Sequence, residues 1–205
     1  LEETPSEGVG ARASAPFKSG EVIVTVPRRA ALSVSTLDDA ARQAVAKLAQ
    51  PHALALAACH TAASNEMPAW RALWPKTPEG TWGLEEEEWH VFEGDAWREL
   101  RRLHTEQEAA AKAAHATILA TGGGATPPTW PEYQWGLSIV SSRAADLVVS
   151  GERQPFLLPL IDVCNHRSNG MHTCAIGYEP EEDAFVLRCV REVEGGEVLT
   201  ISYGR

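Results

Sequence analysis

Apolar residues along this chain follow two different periods, and the pattern switches twice. Residues 7–34, and again those after Gly151, carry short β-branched runs bounded by glycine and proline. Residues 36–150 between them carry long stretches with helical spacing. EVIVTV (21–26) is strand-length, follows a turn at Phe17-Lys18-Ser19-Gly20-Glu21 and is closed by Pro27. Residues 31–34 read as a second short strand. Downstream, FLLPLI (156–161), CAIGY (174–178), AFVLRCV (184–190) and VLTISY (198–203) are strand-like, with Glu194-Gly195-Gly196-Glu197 as the turn before the last.

The central block opens at Thr36-Leu37-Asp38-Asp39, a capping-box pattern that predicts a helix to about Ala49. Pro51 suits the first turn of the next helix, which runs to about Ser64. Residues 65–83 hold three prolines and three tryptophans and read as an irregular connector. Glu85–Glu88 place negative charge in the first turn of a further helix. Gly94-Asp95 breaks that helix and caps a long one from Ala96 to about Ala120, ended by Gly122-Gly123-Gly124. Those three glycines lack the strand-before, helix-after context of a phosphate loop and read as a link. Thr129-Trp130-Pro131-Glu132 starts the last helix, toward Arg143. Strands, a helical block, then strands again predict an α+β fold with an insertion, not a doubly wound sheet. The expected division is a core of residues 1–35 and 151–205 around a mainly helical insert, 36–150.

The 205 residues are enough for a substantial core, and 44% of them are hydrophobic. A formal net charge of −10 carries no basic stripe, which argues against a nucleic-acid partner. No apolar run approaches a membrane span. The four cysteines, Cys59, Cys164, Cys174 and Cys189, form no C-x-x-C pair, so no metal site is expected. Their scatter suits buried free thiols in a reducing, intracellular compartment, with a disulfide among the last three as the alternative. His52 and His60, and His104 and His115, lack the spacing of a zinc helix and read as structural or exposed. The chain starts at Leu1, as a fragment would.

Three segments carry the chemistry: EGVGARASAPFKSGEVIVTVP (7–27), LLPLIDVCNH (157–166) and GEVLTISYG (196–204). In this order, around a helical insert, they resemble the SET-domain methyltransferases, in particular the Rubisco-methyltransferase-like branch with its split SET domain. The resemblance implies a β-clip-like core of short strands and S-adenosyl-L-methionine as cofactor. It also implies a protein substrate presenting a lysine. Such an amine must be neutral and aligned about 3–3.5 Å from the methyl carbon. A lysine of pKa about 10.4 is neutral in about one molecule in 2,500 at pH 7, a deficit of about 4.6 kcal/mol. The site must therefore desolvate the ammonium and offer acceptors to the neutral form.

Residue by residue, the resemblance assigns Tyr203 to orienting that amine, as the tyrosine of the S-Y-G motif. Glu7, Gly8 and Val9 become cofactor contacts, mainly through backbone, because glycine permits close approach. Asn165 and His166 follow as cofactor-binding residues through their backbone groups. Arg143, closing WGLSIVSSR, is the fork for the cofactor carboxylate. Asp162 takes a substrate-facing role. DVCNHRSNG with Gly177-Tyr178 is also similar to the actin-histidine methyltransferases of the same branch, which adds Tyr178 as a substrate contact and histidine as the alternative target. A SET-like module that binds a protein without turnover is the third reading. The chain departs from the family pattern in stopping before the helical substrate-binding domain, in lacking a strand ahead of Glu7, and in having Gly136 where alanine is usual. That glycine is expected to weaken its helix by about 1 kcal/mol.

Overall fold

The computed structural model describes every residue except 1, 5–7, 65–66, 85–87, 91–93, 123–125, 169 and 204–205, and only the backbone of 2–4, 8–9 and 90. The chain divides into two compact units, one of residues 1–32 with 143–205 and one of residues 33–142.

Among the described residues the first unit holds nine strands: β1 (Glu2–Thr4), β2 (Gly8–Arg12), β3 (Val22–Pro27), β4 (Ala145–Val149), β5 (Glu152–Phe156), β6 (Asn165–His166), β7 (Cys174–Glu179), β8 (Ala184–Cys189) and β9 (Val198–Ile201). They form sheets in the orders β1-β2-β9-β6, β3-β8-β7 and β4-β5. The β-branched run at 21–26 becomes β3, displaced by one residue and bulged between Val22 and Val24. Strand β8 lies between two neighbours and buries Ala184, Phe185, Val186 and Leu187 in succession, which is why its first four residues are continuously apolar instead of alternating. Phe185 packs on Phe156 at 4.7 Å between ring centroids, in a core shared with Leu158, Ile161, Leu199 and Ile201.

Three strand expectations change. Residues 31–34 supply a single bridge, Leu32 to Leu157, between two 3-10 turns. FLLPLI is a strand only as far as Phe156. Beyond the Leu157 bridge, Pro159 offers no ladder donor and Leu160 turns to φ 68°. The amides of Ile161 and Asp162 then close onto the Leu158 carbonyl at 3.2 and 3.0 Å. The run is apolar because the turn is buried, with Leu157, Leu158 and Ile161 all at 1% exposure or less. Conversely, residues 145–149, with no strand expected, form β4. Val149 pairs with Glu152 across a two-residue Ser150-Gly151 loop with φ of 55° and 84°, the tight turn whose twist suits a hairpin.

The second unit is helical: α1 (Asp39–Val45), α2 (Gln50–Ala63), α3 (Pro68–Arg71), α4 (Asp95–Thr121) and α5 (Trp130–Arg143, whose last residue lies in the first unit). Asp38 caps α1 by accepting the Ala41 amide at 2.8 Å, and α1 stops at Val45, short of the expected Ala49. Pro51 does sit in the first turn of α2. Every residue from Ala53 to Cys59 of α2 is buried, so the helix is wrapped on all sides instead of being amphipathic. The connector tryptophans Trp70, Trp74 and Trp82 are core residues, each 8% exposed or less. Glu85–Glu87, expected in a helix start, lie outside the described residues, and Glu88 opens a 3-10 turn. Gly94, at φ 105°, caps α4, and Gly122, at φ 74°, ends it. Thr129 and Glu132 form the expected start of α5, the Thr129 amide and hydroxyl both donating to Glu132 Oε2 at 2.7 Å. Among the described residues, no helix is long and apolar enough to cross a membrane.

Candidate active site

Strand β9 is the axis of the site. Strand β2 pairs with it antiparallel, Ala11 opposite Leu199 and Arg12 opposite Val198. Strand β6 pairs with it in parallel, Asn165 opposite Thr200 and His166 opposite Ile201. The glycine segment and the Asn-His segment therefore flank one strand, and that strand runs directly into Tyr203. A parallel pair needs a crossover, supplied here by the β7–β8 hairpin between residues 166 and 198. The crossover is clasped to β9 by Thr173 and Thr200, both buried. The Thr200 amide donates to Thr173 Oγ1 at 2.7 Å, and that hydroxyl donates to the Thr200 carbonyl at 3.2 Å. The Thr173 amide reaches Thr200 Oγ1 at 3.1 Å.

Tyr203 follows the end of β9. Its hydroxyl donates to the Cys164 carbonyl at 3.1 Å, and its amide donates to His166 Nδ1 at 3.1 Å. The residue is 59% exposed, although the hydroxyl contact itself is partly enclosed. Burial raises the phenol pKa above its usual range; the Cys164 and Asp162 groups push the same way, and the Arg143 charge opposes them. The hydroxyl is therefore a neutral O–H at neutral pH. With its proton committed to Cys164, its lone pairs remain available as acceptors.

Arg143 donates through Nη1 to the Asp162 carbonyl at 3.3 Å. Its Nε is buried with no hydrogen-bond partner among the described residues. A buried guanidinium N–H with an open valence fits an anionic ligand group. Asp162 is 8% exposed. Strand β6 lies at the end of its four-stranded sheet. A methyl built on Gly10 would lie 3.2 Å from Asn165 Nδ2, so the Asn165 side-chain amide reaches close to Gly10 of β2. A buried cationic N–H with an open valence fits S-adenosylmethionine, which carries a carboxylate.

Of the residues expected from sequence, Arg143, Asp162, Asn165, His166 and Tyr203 are brought together. Gly8 and Val9 lie in β2, paired with Thr4 and Glu3 of β1, so a strand does precede them after all. Glu7 lies outside the described residues. Tyr178 is not brought to this group. It lies on β7, four residues beyond Cys174, about 13 Å along the strand. There its hydroxyl binds Asp183 Oδ1, its ring packs on Phe185, and Asp183 also pairs with Arg28. The hydrogen bond to Asp183 raises its pKa. Sequence reasoning missed Cys164, which acts through its carbonyl, and the Thr173–Thr200 clasp. Neither leaves a side-chain signature at a recognisable spacing.

The cysteines are all free and buried. Among the described residues no cluster of histidine, cysteine, aspartate or glutamate can hold a metal ion. His115, Nε2 to the Pro128 carbonyl at 2.8 Å, and His104, stacked on Trp89, are packed within the helical unit.

The family model of the SET domain matches residues 8–204, and the chain belongs to the SET-domain family. Its fold is similar to the SET domain of LSMT bound to lysine and AdoHcy, with a TM-score of 0.76 at 18% identity over 97% of this chain and 48% of that one. It is likewise similar to Rubisco LSMT bound to AdoMet, with a TM-score of 0.74 at 20% identity over 97% of this chain and 46% of that one. In sequence it is 36% identical over 78 residues to the actin-histidine N-methyltransferase of Canis lupus familiaris. It is 35% identical over 78 residues to that of Homo sapiens. These alignments span 37% of this chain and 13% of each relative.

Proposed function

We propose that this chain is the SET core of an S-adenosylmethionine-dependent protein-lysine N-methyltransferase. The observation that carries the reading is the placement of Tyr203, at the end of the strand flanked by β2 and β6, with its proton directed onto the Cys164 carbonyl. S-adenosylmethionine, when bound, supplies an electrophilic methyl group on a sulfonium. Arg143 holds the cofactor carboxylate, and the backbones of Asn165 and His166, with Gly8 and Val9, line it. Tyr203 accepts an N–H of the incoming amine and so turns the nitrogen lone pair toward the methyl group. Its raised pKa suits an orienting acceptor and argues against a phenolate base. Asp162, beside Arg143 and Tyr203, faces the substrate. The amine loses its ammonium proton to solvent before transfer, favoured by the loss of water around it.

Histidine is the second reading, favoured by the identity to actin-histidine N-methyltransferases. An imidazole is largely neutral at pH 7, so it demands less of the site. The test is incubation with methyl-labelled S-adenosylmethionine and a panel of proteins, followed by mass spectrometry of the labelled residue. Label on lysine is the expected result. Label on histidine selects the second reading, and saturable cofactor binding with no label on any protein selects a non-catalytic binding module.

A further inference from the structure

Tyr203 is held at two points, and both holds come from the residues on either side of Asn165. Its phenol donates to the Cys164 carbonyl at 3.1 Å, and its backbone amide donates to His166 Nδ1 at 3.1 Å. The second contact stands where the strand ladder runs out. Strands β6 and β9 pair as far as His166 opposite Ile201, and the Arg167 amide reaches the Ile201 carbonyl at 3.0 Å. Two residues later the Tyr203 amide is taken by an imidazole instead of a strand backbone. The two rings also pack, with centroids 5.1 Å apart and planes tilted by 35°.

We propose that the His166 side chain is the positioning residue for Tyr203. A backbone N–H can only donate, so Nδ1 is the unprotonated acceptor nitrogen, and in the neutral ring Nε2 carries the proton. Without this acceptor, Ser202 and Tyr203 continue from β9 with no other main-chain hydrogen bond among the described residues, and the ring swings about the Cys164 contact. An amine acceptor displaced by about 1 Å loses about 10²-fold in rate while leaving cofactor binding intact. His166 thus has a side-chain role apart from the cofactor contacts proposed for its backbone. The inference rests on the function proposed above only where it concerns rate.

The test compares His166→Asn, whose amide oxygen can stand near the Nδ1 position, with His166→Gln, whose amide reaches toward Nε2. Nitrogen NMR of the wild-type imidazole should show an unprotonated Nδ1. The chain has three tyrosines, so the Tyr203 amide and ring resonances are assigned with Tyr203→Phe. Both signals should stay near wild type in His166→Asn and move in His166→Gln, with equal melting temperatures. Labelled methyl transfer from S-adenosylmethionine to free lysine should fall about tenfold further in His166→Gln than in His166→Asn, with cofactor affinity measured for both. A protonated Nδ1, or Tyr203 signals that respond alike to the two substitutions, overturns the proposal. Absent transfer by the wild type, to free lysine and to the protein panel alike, overturns the methyltransferase reading, and the NMR result then decides on His166 alone.

Discussion

A phenol oxygen has one proton and two lone pairs, and which of them faces the substrate decides what a tyrosine can do. In Tyr203 the proton points at the Cys164 carbonyl, so its remaining lone pairs are acceptors, which is the role proposed for it toward the substrate. Tyr203→Phe removes that acceptor and keeps the ring. The loss should fall on the transition state, with turnover reduced about 10²-fold or more. Cofactor affinity, read by calorimetry, should stay within about twofold. Arg143 predicts the opposite division. Its buried Nε is the valence assigned to the cofactor carboxylate, so Arg143→Ala should weaken S-adenosylmethionine binding by about 1.5–3 kcal/mol. Arg143→Lys should restore only part of this, because an ammonium cannot present the planar fork.

At the scale of elements, the glycine expected to loosen α5 has a different role. A methyl on Gly136 would stand 2.7 Å from the Ala55 carbonyl oxygen and 2.8 Å from Cys59 Sγ, so its absence is what lets α5 approach α2. Gly136→Ala gains helix propensity of about 1 kcal/mol but must push two packed helices apart. It should lower the melting temperature, with a net cost of about 1–3 kcal/mol. The Thr173–Thr200 clasp is the corresponding feature of the strand-rich unit. Thr173→Val keeps the shape and strands the Thr200 amide, which should destabilise by about 1–3 kcal/mol in urea unfolding. Elements of this kind were unevenly legible in the sequence. Strand β8 and helix α2 were readable because length, β-branching and a proline at a helix start speak locally. FLLPLI misled because a buried turn needs the same apolar residues as a buried strand. Strand β6 is two residues long and exists only through its pairing with β9, and the Cys164 carbonyl looks like any other. The Asn-His and Ser-Tyr segments were found by resemblance, since their chemistry depends on a register that a linear pattern does not contain.

For the molecule as a whole, buried thiols contribute to the alkaline limit of stability. Burial pushes Cys59 and Cys164 up to about 12 and Cys189 to about 11, from an ordinary 9.0. A folded-state pKa raised above the unfolded value means that unfolding releases a proton at high pH. The stability these neutral thiols contribute is therefore complete below about pH 9 and lost progressively toward pH 11–12. The urea midpoint should fall across that window, and serine at Cys164 should flatten the fall. The position of β9 has a consequence for how the protein comes to exist in a cell. Ala11 finds its sheet partner in Leu199, near the opposite end of the sequence. At synthesis rates of about 5–20 residues per second, the first strands wait roughly 10–40 s for it to be made. Through that interval β2 carries an unclaimed edge, open to strands of other chains. Nascent chains halted before residue 198 should therefore lean on chaperones far more heavily than the finished protein does.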